Sequence, residues 1–342
     1  SDSELLDLIW YLSHFEANSK WWNIGRELLF EKFPLWNESY AYGEDFDLQI
    51  KTLRSYLVFE PVDIPLNMDN LEIFHNACKF LWEKIHPNID SLTKTLGSPP
   101  ENSTRLTSDQ ILFFEFLSQA ANFPTIFNIS ILTDYARKAV ETIVEITNKT
   151  NGIPEYFDIN SSQSSSIYRC RHQGELILAL NQLDFAYQIG STVDILINRI
   201  NKFIINHLRN KDWSCSEYYN SSNRKRSEHI LASDQSLIIR CYVLFEHLQS
   251  GKYISEKLIE KLEAPNSGFY PSSTDRNSQN LIDQVQILLA FNDLIMLESQ
   301  IYPTEPKEGA ASWGFGLFSI ILLVSVLLVK RKWRKRTAYS PE

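Results

Sequence analysis

The segment ELILALNQLDFAYQIG, residues 175–190, decides how the rest of the chain is read. Its apolar residues cover most sides of a helix instead of one stripe, as expected of a helix buried all round. ILFFEFLSQAANF (111–123), SLIIRCYVLFEHL (236–248) and VQILLAFNDLIML (285–297) have the same character. Segments of the opposite kind alternate with them: YARKAVETIVEITNK (135–149) and VDILINRINKFIINHLRNK (193–211) carry one apolar and one charged face. This alternation predicts an inner and an outer ring of helices. Helical spacing extends the inner set to residues 3–16, 45–58, 108–122, 171–189, 231–249 and 280–297. The outer set is expected at 21–33, 69–86, 131–147, 192–209 and 253–262. Nothing reads as a strand pair, so the fold class is all-α.

The linkers repeat as well. NGIPEYFDIN (151–160), SCSEYYNSS (214–222) and NSGFYPSSTD (266–275) each join a turn signal to aromatics and a polar cluster. Asp109-Gln110, Asp234-Gln235 and Asp283-Gln284 then open inner helices, with Gln173 and Glu175 in the corresponding region of the fourth unit. The period of about 50–65 residues is that of a helical-hairpin array. Inner helices this apolar suit a closed toroid better than an open solenoid. On these hairpins, Asp-Gln pairs and Gly-Phe-Tyr turns, residues 1–297 resemble the six-hairpin glycosidase superfamily. The resemblance implies an (α/α)6 toroid acting on or binding carbohydrate, with the sixth outer helix missing after Leu297 and the ring therefore incomplete or closed from elsewhere.

Beyond the toroid, expected to end at residue 298, SQIYPTEPKE (299–308) reads as a short stiff spacer with two prolines. GAASWGFGLFSIILLVSVLLV (309–329) carries no charge and, at about 1.5 Å per residue, spans a hydrocarbon core of roughly 30 Å. The basic run KRKWRKR that opens the tail 330–342 is expected to stay in the cytoplasm. The chain is thus read as a cell-membrane protein, single-pass, with its N-terminal domain extracytoplasmic. Its opening at Ser1, with no apolar leader, fits a signal peptide already removed. Trp313 to Gly316 resemble prokaryotic C-terminal sorting tails of the Pro-Gly-Phe type, with Trp in place of Pro; retention as an anchor is the expectation. The tail contributes +5 to the net charge of −9, leaving −14 on residues 1–329. An acidic ectodomain argues against nucleic acid as a partner. A monomer is expected.

Four cysteines lack zinc-site spacing, and no metal or cofactor is expected. Cys170 and Cys215, at one end of the domain, are the disulfide candidate, with free buried thiols as the alternative. Sequons stand at Asn37, Asn102, Asn128, Asn148, Asn160 and Asn220.

Inner-helix starts share one face with the linkers, and that face is the expected pocket. Glycoside cleavage needs two carboxyl groups, one of them protonated. Asp234, Asp283 and Asp109 are the catalytic candidates; an N-cap role is the structural alternative for Asp109 and Asp234. Glu155 and Glu217 recur at matching places, which favours scaffold. Tyr156, His172, Trp213, Tyr218 and Tyr270 are the substrate-binding candidates, the aromatics by stacking on sugar rings. His229 is a further acid or base candidate. Glu115 and Glu246 fall within apolar inner helices and are expected either buried or facing the lumen. The functional expectation is a carbohydrate-active glycoside hydrolase or lyase-like protein; the alternative is a non-catalytic surface protein that binds polysaccharide, peptide or protein. Phosphate loops, HExxH, GxSxG and EF-hand motifs are absent.

Overall fold

The computed structural model describes residues 2–17, 19–32, 46–59, 68–97, 103–161, 163–262 and 281–301. Eleven α-helices alternate between two rings: the inner α1 (Asp2–Leu12), α3 (Phe46–Val58), α5 (Thr107–Ala120), α7 (Cys170–Tyr187), α9 (Ala232–Leu244) and α11 (Leu281–Ile301), and the outer α2 (Lys20–Lys32), α4 (Met68–Ile85), α6 (Ile129–Thr150), α8 (Ser191–Phe203) and α10 (Leu248–Leu262). Each inner helix packs on the next, and α11 packs back on α1. Six inner helices therefore close the ring, although no sixth outer helix stands among the described residues.

Burial follows the two sequence patterns. On α5, Ile111, Leu112, Phe113, Phe114, Phe116 and Leu117 are all buried, which a helix achieves only when covered on every side. On α6 the buried set is Leu132, Tyr135, Ala136, Ala139, Val140, Ile143 and Thr147, one stripe at three- and four-residue spacing. Gly174 lets α7 approach α9: a Cβ there would lie 3.1 Å from Cβ of Leu237. Asn151 and Gln188 end α6 and α7 in the left-handed conformation, each N–H returning to a carbonyl of the last turn.

Several expectations are corrected. The linkers do pair as strands: β1 (Thr104–Leu106) with β2 (Tyr156–Asp158), and β3 (Ile167–Arg169) with β4 (Tyr218–Asn220), which also pairs with β5 (Lys225–Arg226), all antiparallel. Strands of two or three residues are too short for an alternating pattern to register. Glu246 is not within an inner helix. It has φ 57° and lies exposed in the turn after α9, so α10 begins earlier than expected, at Leu248. Ser299 to Ile301 belong to α11, not to a spacer. Among the described residues no helix is long and apolar enough to cross a membrane. The membrane helix expected at 309–329 and the tail 330–342 lie outside the described residues, as do Asn37, Asn102 and Tyr270.

Candidate active site

The recurring Asp-Gln pair separates into two roles. Gln49, Gln110, Gln173, Gln235 and Gln284 each occupy the fourth position of an inner helix and are buried. Three of them make the same clamp on the linker after an outer helix. The Oε1 of Gln110, Gln173 and Gln235 accepts the N–H of Leu96, Ile153 and Cys215 at 2.9, 2.9 and 2.8 Å. Nε2 donates back to the carbonyl of the same residue at 2.6, 2.7 and 2.8 Å. An amide offers both a donor and an acceptor, so one side chain satisfies both polar groups of a buried backbone unit. The linker glutamates behave likewise: the carbonyls of Glu155 and Glu217 accept the first N–H of α5 and α7, and Arg169 bridges their carboxylates at 2.6 and 3.4 Å. Scaffold is the correct reading for Glu155 and Glu217.

Asp109, Asp234 and Asp283 stand one residue earlier, as the third residue of α5, α9 and α11. Asp109 and Asp234 are not N-caps. The cap positions are Leu106 and Leu231, without side-chain capping bonds, because each helix starts from an extended linker whose backbone already bonds its neighbours. In α7 the third position holds His172.

A cavity of about 230 Å³ opens at this end of the lumen, between α1, α3, α5 and α7. Its charged lining was largely silent in the sequence, because Asp7, Lys51 and Arg54 each occur once and repeat nowhere. Lys51 contacts Asp7 at 3.0 Å and Asp47 at 3.1 Å. Arg54 pairs with Glu115, reaches Asp7 at 3.7 Å, and covers the ring of Trp10 with its guanidinium 4.1 Å from the centroid. Arg171 bonds Glu175 at 2.8 Å and the hydroxyl of Tyr11 at 3.2 Å, and that hydroxyl donates to Glu175 at 3.0 Å. Glu115 faces the lumen, one of the two placements expected of it.

Electrostatics sort the acids. Burial pushes the Asp234 carboxyl well above the usual carboxylate range; Arg171 opposes this, while Glu217, Glu175 and Asp283 add to it. Asp234 is 1% exposed, and neither oxygen has a hydrogen-bond partner among the described residues. Burial would also lift Glu175, but Arg171, His172 and the Tyr11 hydroxyl together hold it below its ordinary value. Asp109 is raised by burial to about 6, against the hydrogen bond from Ser108. His172 lines the cavity with its Nδ1 buried and unpartnered among the described residues; burial lowers its pKa, so the ring is neutral.

Of the described aromatic candidates, none lines this cavity. Tyr156 and Tyr218 lie on β2 and β4, and Trp213 stacks on Tyr253 under the Arg209 guanidinium. Tyr156 is exposed and Tyr218 half-buried, while their neighbour Phe157 is buried and Tyr219 packs on Phe203 and His207. His229 is exposed. Cys170 and Cys215 are neighbours, as the disulfide candidate requires, but they are free, fully buried thiols joined by a side-chain hydrogen bond. Asn128, Asn148 and Asn160 are exposed and Asn220 is half-buried. The Asn128 side chain caps α6 by accepting the Ile131 N–H at 3.3 Å.

The ring and its lumen recur in solved structures. The chain is similar to a cellobiose 2-epimerase from Bacillus thermoamylovorans (10% identity, 87% of each chain, TM-score 0.62) and to a sugar epimerase from a ruminal bacterium (8%, 85% of this chain and 87% of that one, 0.63). It is also similar to a family 105 glycoside hydrolase from C. acetobutylicum (12% identity, 86% of this chain and 92% of that one, TM-score 0.60). At these identities the likeness is one of fold: the described residues form an α/α toroid, as those proteins do. No protein-family model matches the chain. No curated protein matches it.

Proposed function

We propose that this protein is a carbohydrate-active enzyme, glycoside hydrolase or lyase-like, whose site is the linker-side lumen of the toroid. The observation that carries the reading is the divergence of two neighbouring acids: burial pushes Asp234 up, while Arg171 holds Glu175 below its ordinary value. Titratable neighbours pushed apart in this way are the usual signature of an acid paired with a base. Glu175, which lines the cavity, then activates water or stabilises positive charge at the anomeric carbon, and Asp234, buried and not itself part of the cavity lining, holds behind it the proton destined for the leaving glycosidic oxygen. Asp283, electrostatically coupled to Asp234, is the alternative partner, and His172 a contact for sugar hydroxyls. That the proteins of similar fold are named for reactions on sugars supports a sugar ligand. We place the domain outside the cell on the anchor 309–329, on the strength of that segment's uncharged length and the basic run after it.

The test is a screen of the purified full chain in mild detergent against a glycan array, with reducing-sugar and unsaturated-product assays. Turnover that falls at least a hundredfold in Asp234→Asn and in Glu175→Gln is the expected result. Glycan binding by the wild type with no turnover on any bound glycan would replace the enzyme by a binding module.

A further inference from the structure

The cavity's charges are closed on one another. Among the described residues, the cations lining it are Lys51, Arg54 and Arg171, and each already contacts a carboxylate that lines the same cavity: Asp7 and Asp47, Glu115, and Glu175. Four lining acids face three lining cations, and His172 is neutral. A ligand carboxylate entering here would meet no available cation. It would have to break an existing pair, leaving a buried acid uncompensated, or accept burial without a partner; both are costly in a site shielded from water.

Vicinal hydroxyls face no such conflict. Paired carboxylates keep spare acceptor lone pairs, guanidinium groups keep spare donors, and a sugar hydroxyl donates and accepts at once. The cavity is also small: about 230 Å³, below the roughly 300 Å³ at which pockets for drug-sized ligands begin. Stacking is not the main mode of recognition, because the Arg54 guanidinium already covers a face of Trp10.

Building on the hydrolase form of the proposed function, since elimination at a sugar ring needs a uronate carboxyl, we infer that the lumen site selects one uncharged sugar ring and rejects uronic acids, because its cations are already spent on its own carboxylates. Arg171 is the pivot. Among the described residues its carboxylate contact is Glu175, whereas Lys51 has two acids and Arg54 has Asp7 behind Glu115. Removing the Glu175 charge releases a guanidinium into the cavity with its fork unpaired, the geometry that suits a carboxylate.

The experiment is calorimetric titration of the full chain in mild detergent with methyl glucoside, methyl mannoside, methyl galactoside, glucuronate and galacturonate, repeated on Glu175→Gln. Expected is at least a tenfold preference of the wild type for a neutral glycoside over its matching uronate, shrinking at least tenfold in Glu175→Gln through gained uronate affinity. A uronate bound by the wild type as tightly as its neutral counterpart overturns this inference and leaves the carbohydrate reading standing. A wild type with its cooperative unfolding transition that binds none of the five overturns both. Should Glu175→Gln fail to fold, the wild-type panel alone decides.

Discussion

The linker clamps and the lumen cavity lie at the same end of the toroid and are built on opposite logics. The clamps repeat: Gln110, Gln173 and Gln235 grip Leu96, Ile153 and Cys215 in one geometry. The cavity does not: Lys51, Arg54, Glu115 and Arg171 come from three inner helices, each in its own arrangement. In a ring made of similar units, what recurs serves the part every unit shares, namely docking its linker. What occurs once is free to serve a single ligand. Repetition therefore marks scaffold here, and its absence marks the site.

The largest effect that can sharpen the contrast is at Arg54. Replacing it with Met strands Glu115 beside Asp7, and urea unfolding is expected to show a loss of about 3–5 kcal/mol, the usual cost of removing one partner from a buried pair. Arg54→Met with Glu115→Leu should regain much of that loss and still lack sugar binding. Next comes Gln173→Ala, which leaves the N–H and carbonyl of Ile153 unpaired and is expected to cost about 3 kcal/mol. Turnover per folded molecule should be unchanged; a loss of turnover without loss of stability would break the division between scaffold and site.

A smaller effect concerns pH. Asp234 has a folded pKa above its unfolded value near 3.8, so the native state holds the proton more tightly. Its contribution is complete below about pH 4 and is lost as pH rises through the folded pKa. Asp109 adds the same sign between 3.8 and about 6. Melting curves of Asp234→Asn should therefore fall less steeply with rising pH above 4, and at pH 7 the variant should be the more stable of the two. The smallest effect is expected from Arg169→Gln, which cuts the half-exposed bridge to Glu155 and Glu217. It should cost about 0.5 kcal/mol and leave turnover unchanged.

How legible the molecule was depended on period. Apolar spacing placed all eleven helices, with the ends of α9 and α10 displaced because the break at Glu246 carries no glycine or proline to announce it. The Asp-Gln recurrence pointed to the right face but not to the division of labour within it. An N-cap role, the structural alternative for Asp109, is taken by the linker, whose Glu155 carbonyl accepts the first N–H of α5, and the Gln does the gripping. Aromatic residues near the linkers suggest a sugar platform, yet none of the described candidates lines the cavity. His172 and Glu115 were visible as polar residues in apolar surroundings, and both line the cavity.

By itself the sequence determined the hairpin array, the inner and outer rings, the end of the toroid where the linkers gather and an uncharged stretch long enough to span a bilayer. Those features are local: burial on all sides, burial on one side and charge are written at fixed spacing along the chain. Only the tertiary structure decided that the six inner helices pack into a closed ring with five outer helices among the described residues, and that Asp7, Lys51, Arg54, Glu115 and Arg171 meet in one cavity. Closure depends on the angles at which helices pack, and the meeting joins residues more than 160 positions apart, such as Tyr11 and Glu175. Neither leaves a period in the chain to read.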